Sequence, residues 1–256
     1  GNKVVYSVWG SAQNDVWAFG RKINQGTLSA FIMHYNGSQW VEATLPNVAA
    51  LNANLYCVYG TTAKNIWVGG YEYALHYDGS NWNTHKVADS IIVGSISGND
   101  KYLYLTTYSP WSDYTPRKLY LFKEGNFLNI DQSPVYPIKF GLGLWARQNE
   151  LKTFEDGIIS TSLKSNGDVD VNDWHRELTT TSAFGLGSIY IQSSKNVFAV
   201  GQLDLIYHFN GADWARININ VPNHTEDPLA FFWGVWTDGK EVFISDTQNG
   251  IIYHGR

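Results

Sequence analysis

A four-stranded unit repeated six times predicts an all-β fold: a six-bladed β-propeller of four-stranded antiparallel blades, the last blade lacking its outer strand. Three observations carry this. The segment Val5-Tyr-Ser-Val-Trp-Gly-Ser-Ala-Gln-Asn-Asp-Val-Trp-Ala-Phe-Gly20 matches Leu55-Tyr-Cys-Val-Tyr-Gly-Thr-Thr-Ala-Lys-Asn-Ile-Trp-Val-Gly-Gly70 without a gap. A second segment follows each: Ile32-Met-His-Tyr-Asn-Gly-Ser-Gln-Trp40, then Ala74-Leu-His-Tyr-Asp-Gly-Ser-Asn-Trp82, and again Ile206-Tyr-His-Phe-Asn-Gly-Ala-Asp-Trp214. The closing aromatics Trp40, Trp82, Phe127, Trp174 and Trp214 fall 42, 45, 47 and 40 residues apart. That period, with four β segments per unit, belongs to propeller blades and not to helical solenoids.

Within each unit, strand A is Val5–Trp9 and its equivalents. A polar turn (Asn14-Asp15, Lys64-Asn65, Asn99-Asp100, Lys195-Asn196, Asp238-Gly239) leads to strand B, such as Val16–Phe19. A loop of variable length reaches strand C, for example Phe31–Tyr35. The pairs Asn36-Gly37, Asp78-Gly79, Glu124-Gly125, Asn166-Gly167 and Asn210-Gly211 then turn into strand D, because Asn-Gly and Asp-Gly supply the positive φ angles of two-residue hairpins. A small residue recurs in mid-strand A, at Ser7, Cys57, Gly94, Gly143, Gly187 and Gly234, where inner strands would converge on an axis. Blades are expected at about 4–50, 51–89, 90–134, 135–182, 183–228 and 229–256, forming one domain over 1–256. The sixth unit stops at Arg256, where strand D should begin; either that blade has three strands or the native chain extends further.

Composition agrees. Eleven Trp and 24 Gly against 7 Pro, with 16% charged residues, suit short aromatic strands and tight turns. The net charge of −5 is spread along the chain without a Lys/Arg run, which argues against a nucleic-acid partner. Apolar stretches of four or five residues exclude a helical membrane span. The single cysteine, Cys57, cannot form an internal disulfide and reads as a volume choice in strand A.

His34, His76, His208 and His254 occupy one position in strand C. On different blades they lie too far apart to share an ion bound at about 2 Å, so they read as packing groups, each against a neighbouring blade and bonded to a turn. The repeated Trp at the start of strand D reads as inter-blade packing. No metal site, cofactor motif, nucleophile elbow or P-loop is present, so no catalytic residue is assigned.

Residues outside the repeat carry more information, since the scaffold does not demand them. The first B–C loop, Gly20–Ala30, holds Arg21 and Lys22; the second holds Tyr71, Glu72 and Tyr73; the third carries Trp111, Asp113, Tyr114 and Arg117. The D–A loops add Tyr136, His224–Pro228 and Trp233. Aromatic rings interleaved with Asp, Arg and Tyr hydroxyls suit a sugar, whose C–H faces stack on rings while polar groups hold its hydroxyls. The ligand set is therefore Trp111, Tyr114, Asp113, Arg117, Tyr71, Tyr73, Trp233 and Tyr136. The alternative is that these rings only pin long loops to the scaffold. Glu72, Asp113, Glu155, Asp156, Asp204 and Asp246 could supply an acid–base pair, although any propeller offers such carboxylates.

The tail His-Tyr-Asp-Gly-Ser-x-Trp at residues 76–82, with Val8-Trp-Gly-Ser11 and Asn14-Asp-Val-Trp-Ala-Phe-Gly20, resembles repeats of bacterial secreted and cell-surface propellers. It is also similar to the tectonin repeat of six-bladed lectins and, in the turn alone, to the Asp-box of sialidase-type propellers. The tectonin likeness implies glycan or lipopolysaccharide binding, although units 91–130 and 138–178 depart from the repeat. The expected function is a non-catalytic binding module of an exported bacterial protein, secreted or at the cell surface, that recognises a glycan or surface polymer through loops at the channel mouth. No signal segment is visible. A protein–protein scaffold and a glycan-active hydrolase or lyase are the alternatives.

Overall fold

The computed structural model describes residues 2–45, 54–99, 101–111, 118–130, 143–147, 149–154, 157–180, 185–193, 195–219, 231–246 and 249–256. Every regular element among them is a strand, and no helix is long and apolar enough to cross a membrane. The fold is a six-bladed propeller. Blade one contains β1 (Asn2–Ala12), β2 (Asp15–Asn24), β3 (Thr27–Tyr35) and β4 (Trp40–Glu42). Blade two contains β5 (Cys57–Thr62), β6 (Asn65–Gly69), β7 (Tyr73–Tyr77) and β8 (Trp82–Lys86). Blade three contains β9 (Ile92–Gly98), β10 (Leu103–Tyr108), β11 (Lys118–Lys123) and β12 (Asn126–Asn129). Blade four contains β13 (Gly143–Arg147), β14 (Glu150–Phe154), β15 (Gly157–Ser162) and β16 (His175–Thr179). Blade five contains β17 (Leu186–Ser193), β18 (Asn196–Gly201), β19 (Ile206–Phe209) and β20 (Trp214–Arg216). Blade six has three strands, β21 (Phe232–Thr237), β22 (Val242–Asp246) and β23 (Ile251–Gly255). Each sheet is a meander in chain order.

The chain forms two compact units: Gly1–Phe140 with Leu144–Leu151 and Ser162–Asn172, and Gly141–Gly143 with Lys152–Thr161 and Asp173–Arg256. In the first, blades one and two enclose Trp17, Phe19, Ile32, Leu55, Val68 and Trp82, while blades two and three enclose Trp67, Val93, Ile96, Leu105 and Tyr120. In the second, Phe154, Ile158, Leu186 and Tyr207 form one cluster, and Phe198, Ile206, Phe232 and Ile244 another. Strand B lies between two covered faces. It therefore reads as a continuous apolar run (Trp17–Gly20, Ile66–Gly69, Val197–Gly201) and not as an alternation.

The turns into strand D use different chemistry from the hairpin expectation. Asn36, Asp78 and Asn210 do not take positive φ; only their glycines do, at 92°, 95° and 98°. Each Asn or Asp side chain instead accepts two amides, as Asp78 Oδ1 does from Ser80 and Asn81 at 2.8 Å, closing a four-residue loop. Glu124-Gly125 alone is a two-residue turn with both φ positive, at 52° and 83°.

Two further expectations are corrected. Residues 20–30 are not a loop, because β2 and β3 run on to a turn at Gln25-Gly26, with Arg21 and Lys22 paired into the sheet. The small-residue column is Ser7, Cys57, Ser95, Ser188 and Gly234, opposite Phe19, Gly69, Thr106, Val200 and Ser245. Gly94 and Gly187 sit one place earlier, as the extra residue of a β-bulge that Tyr6 and Trp233 occupy in blades one and six.

The chain also links successive blades through main-chain bonds. Leu55 N donates to Gly20 O at 3.4 Å and Val93 N to Gly70 O at 2.9 Å, equivalent positions at which strand A of one blade meets the end of strand B of the preceding one.

Candidate functional site

The histidine column is structural, and its partners lie within its own blade and not on a neighbour. His34 stacks on Trp17 at 4.0 Å and 17°, His76 on Trp67 at 4.2 Å and 11°, His208 on Phe198 at 4.5 Å and 29°, and His254 on Phe243 at 4.5 Å and 1°. Each Nε2 meets the side chain that opens strand B: Asp15 at 2.7 Å, Asn65 and Asn196 at 2.8 Å, and Glu241 at 3.4 Å. The register explains this, since Trp17 pairs with His34 and Trp67 with His76 across β2–β3 and β6–β7. Burial lowers the pKa values of His76 and His208, so these rings resist charging. Cys57 is inert for the same reason: burial pushes its thiol up to about 12. Among the described residues no group of His, Cys, Asp or Glu is arranged to hold a metal.

A different set of residues lies where strand B ends and the next strand A begins. By register Arg21, Tyr71 and Tyr108 are equivalent, each two residues beyond the partner of the small residue. Tyr71 and Tyr108 both pair with Ile92, so their backbones flank one strand at the usual spacing of about 5 Å per step. Three residues past Tyr108, the Trp111 side chain is 80% exposed. In blades one and two the rings of Tyr6 and Tyr56 lie 5.7 Å apart, Arg21 sits over Tyr6 at 5.7 Å, and Asn54 Nδ2 donates to the Tyr56 hydroxyl at 2.7 Å. Arg21 Nε is buried without a hydrogen-bond partner. Rings, an amide and a guanidinium along strand ends can stack on a flat apolar face while binding hydroxyls or a carboxylate.

Of the sequence-derived ligand set, Trp111 and Tyr71 belong to this group. Tyr73 opens β7 opposite Lys86 and is half-buried. Trp233 is not in a D–A loop; it is the exposed bulge residue of β21, its ring against Gly187. Asp113, Tyr114, Arg117 and Tyr136 lie outside the described residues. Tyr6, Tyr56, Tyr108 and Asn54 were not singled out from the sequence. For Tyr6 and Tyr56 the signal was the column just before the small residue of strand A, where Tyr6, Tyr56 and Trp233 alternate with Gly94 and Gly187.

Two of the candidate carboxylates, Glu72 and Asp246, are bonded within the scaffold. Glu72, at φ 62°, donates its amide to Ile91 O and accepts Val87 N at its carbonyl, while its carboxylate accepts Ser90 N at 2.7 Å. Asp246 is buried and accepts Asn249 Nδ2 at 2.8 Å, Asn249 N at 3.3 Å, Phe231 N at 3.4 Å and Tyr253 Oη at 3.5 Å. Burial and then the charges of Asp246 and Asp204 raise the Tyr253 pKa. Asp113, Glu155 and Asp156 lie outside the described residues.

No protein-family profile and no curated protein matches this sequence. Solved propellers match over nearly the whole chain. The WD40 β-propeller domain of Doa1 aligns with a TM-score of 0.57 at 12% identity, covering 99% of this chain and 82% of that one. YCF48 bound to D1 peptide aligns at 0.51 and 11% identity, covering 98% and 92%. The extracellular domain of the putative hybrid two component system BT3049 from B. thetaiotaomicron aligns at 0.55 and 15% identity, covering 99% of this chain and 40% of that one. At such identities the likeness shows the fold alone: a β-propeller with WD40-like neighbours.

Proposed function

We propose that this propeller is a non-catalytic binding module of an exported bacterial protein, and that it holds a glycan or similar surface polymer along the strand-B ends of blades one to three. The observation that carries the reading is Trp111, 80% exposed three residues beyond the Tyr71–Ile92–Tyr108 row. Leaving an indole in water forgoes about 1.5–3 kcal/mol of burial, as for other large apolar side chains, so such a ring fits a ligand platform. Arg21, Tyr6, Tyr56 and Asn54 supply polar contacts in the same unit. Tyr114, Asp113, Arg117, Tyr136 and Tyr73 complete the proposed set. The hydrolase reading is weakened because Glu72 and Asp246 are committed to hydrogen bonds within the fold.

A glycan array followed by titration calorimetry tests the proposal. Binding should weaken by about tenfold or more in Trp111→Ala and Tyr71→Ala, with unfolding midpoints unchanged for Trp111→Ala. No binding to any glycan by the folded protein would overturn it. The second reading, a protein-binding scaffold, draws on the exposed apolar residues of blades one and six, including Val5, Val8, Trp236 and Ile252. YCF48 in complex with a D1 peptide offers a parallel for peptide binding on this fold.

A further inference from the structure

Blade one carries a cation that the fold leaves unmatched. Successive side chains of a strand point to opposite faces, so Arg21 and Lys22 leave β2 in different directions. Lys22 Nζ is paired with Glu42, which also takes Lys3 Nζ at 3.0 Å, and these bonds hold the Glu42 carboxyl below its usual range. Arg21 has no such partner. It is half-buried, its Nε is buried without an acceptor, and among the described residues no carboxylate or carbonyl accepts from Nη1 or Nη2. Buried N–H groups are as a rule paired, so a cation left in this state points to an acceptor that comes from outside the fold.

The surroundings of Arg21 are built from donors and rings. Leu55 N bonds Gly20 O as Val93 N bonds Gly70 O, and Tyr71, next after Gly70, pairs with Ile92, next before Val93. By that equivalence Arg21 stands opposite Asn54. Asn54 Nδ2 donates to the Tyr56 hydroxyl at 2.7 Å, so the phenol oxygen is engaged as an acceptor and its own proton remains to be given. Tyr6 lies between the two, its ring 5.7 Å from the Arg21 guanidinium and 5.7 Å from the Tyr56 ring, and it is 40% exposed. The acidic groups of these blades that could compete are engaged elsewhere: Glu42 by the two lysines and Glu72 by Ser90 N.

We propose that the glycan is an acidic one, and that Arg21 holds a sugar carboxylate end-on through Nη1 and Nη2. The Tyr56 hydroxyl is the further donor, and the C–H face of the same sugar lies on the Tyr6 ring. A uronic acid has the matching chemistry: its carboxylate is planar, as the guanidinium fork requires, and carries the single charge that one arginine balances. A phosphate monoester brings about −1.5 to −2 and calls for a second cation, and Lys3 and Lys22 are already paired. The proposal rests on the glycan reading of the strand-B ends and names the class of sugar that site takes.

The probes are oligosaccharides of galacturonic acid, of hyaluronan and of alginate, each beside its carboxyl-reduced counterpart, which keeps the linkages and replaces every carboxylate by a primary alcohol. Titration calorimetry against the 256-residue chain should show an acid bound and its reduced counterpart weaker by about tenfold or more. Added salt should weaken the acid and spare the counterpart. Arg21→Gln should bring the acid to the level of its counterpart without changing the latter, and Arg21→Lys, which keeps the charge and loses the fork, should fall between. The thermal midpoint of Arg21→Met should hold or rise, because the change removes a buried donor that the fold does not satisfy. Equal binding of an acid and its counterpart, acid binding that Arg21→Gln leaves intact, or a lowered midpoint in Arg21→Met would each overturn the proposal. Neutral glycans that bind and lose affinity in Trp111→Ala, with no acid bound, would overturn it and leave the glycan reading standing. Acid binding that needs Arg21 but ignores Trp111→Ala and Tyr71→Ala would support the acidic site and displace the proposed platform. No binding of any glycan would overturn both.

Discussion

Lys152 and Glu177 should behave as one unit, and breaking that unit should cost far more than removing it. Lys152, on β14, is buried, and its Nζ is paired with Glu177 on β16 and lies 3.2 Å from Ser160 Oγ on β15. The two side chains are only 11% and 19% exposed. Burial pushes the Glu177 pKa up, and hydrogen bonds from Lys152 and Ser160 more than offset it, so its net shift is downward. Lys152→Met leaves a buried carboxylate without its cation, a change that costs about 3–5 kcal/mol. The Ser160 hydroxyl still donates and Glu177 keeps some solvent, so the lower end, about 3 kcal/mol, is expected. The double variant Lys152→Met/Glu177→Leu removes both charges at similar volume and should recover to within about 1 kcal/mol of the parent. Equilibrium urea unfolding followed by tryptophan fluorescence reads both values. The pH dependence has a definite sign. A carboxyl with a lowered folded pKa contributes stability above its unfolded value of 4.5 and loses it as pH falls through the folded one. In Lys152→Met the lysine's hydrogen bond and charge are lost while burial remains, so the Glu177 pKa rises and the gap to the parent should narrow from pH 7 towards pH 4. A single variant costing under about 1 kcal/mol, or a double variant no better than the single, would refute the reasoning.

Further outcomes follow from the repeat. Trp82→Ala should destabilise by about 3–5 kcal/mol and Trp40→Ala by under about 1, although the two residues are equivalent in sequence, because Trp82 is 9% and Trp40 47% exposed; denaturant midpoints decide. Burial lowers the pKa values of His76, His85 and His208, and the unfolded chain then binds more protons, so stability should fall as pH drops below about 6.5. His76→Gln should flatten that slope in an unfolding series between pH 7 and 5; an unchanged slope would count against it. Gly60→Ala places a Cβ 2.5 Å from the Trp9 ring and should cost about 1–3 kcal/mol by thermal melts, whereas Gly10→Ala, with its nearest contact at 3.0 Å, should cost less.

Much of the architecture was legible in the sequence because a blade is a local object. Its strands, turns and histidine–aromatic pairs are set by residues within about 45 positions, and equivalent copies confirm one another. Even so, periodicity alone could not distinguish Gly94 from Ser95 as the small residue. A bulge inserts one residue without changing the pattern around it, and only the paired register shows which side chain it displaces. The reach of β2 and β3 to Gln25-Gly26 was hidden likewise, because an extended hairpin and a polar loop can share a composition.

The candidate site was less legible. Trp111 stood out because the scaffold has no use for it, and the structure leaves it in solvent. Tyr6 and Tyr56 looked like ordinary strand residues and Arg21 like part of a loop, and with Tyr108 they were related only once strands from adjacent blades were set side by side. By itself the sequence determined the propeller and its six units, since hydrophobic period and turn chemistry act over short range. Tertiary structure alone decided which equivalent residues are covered. Trp40 and Trp82, or Ile32 and Ile252, share a pattern and differ only in whether another strand or blade packs on them, and burial is a property of neighbours that no local pattern encodes.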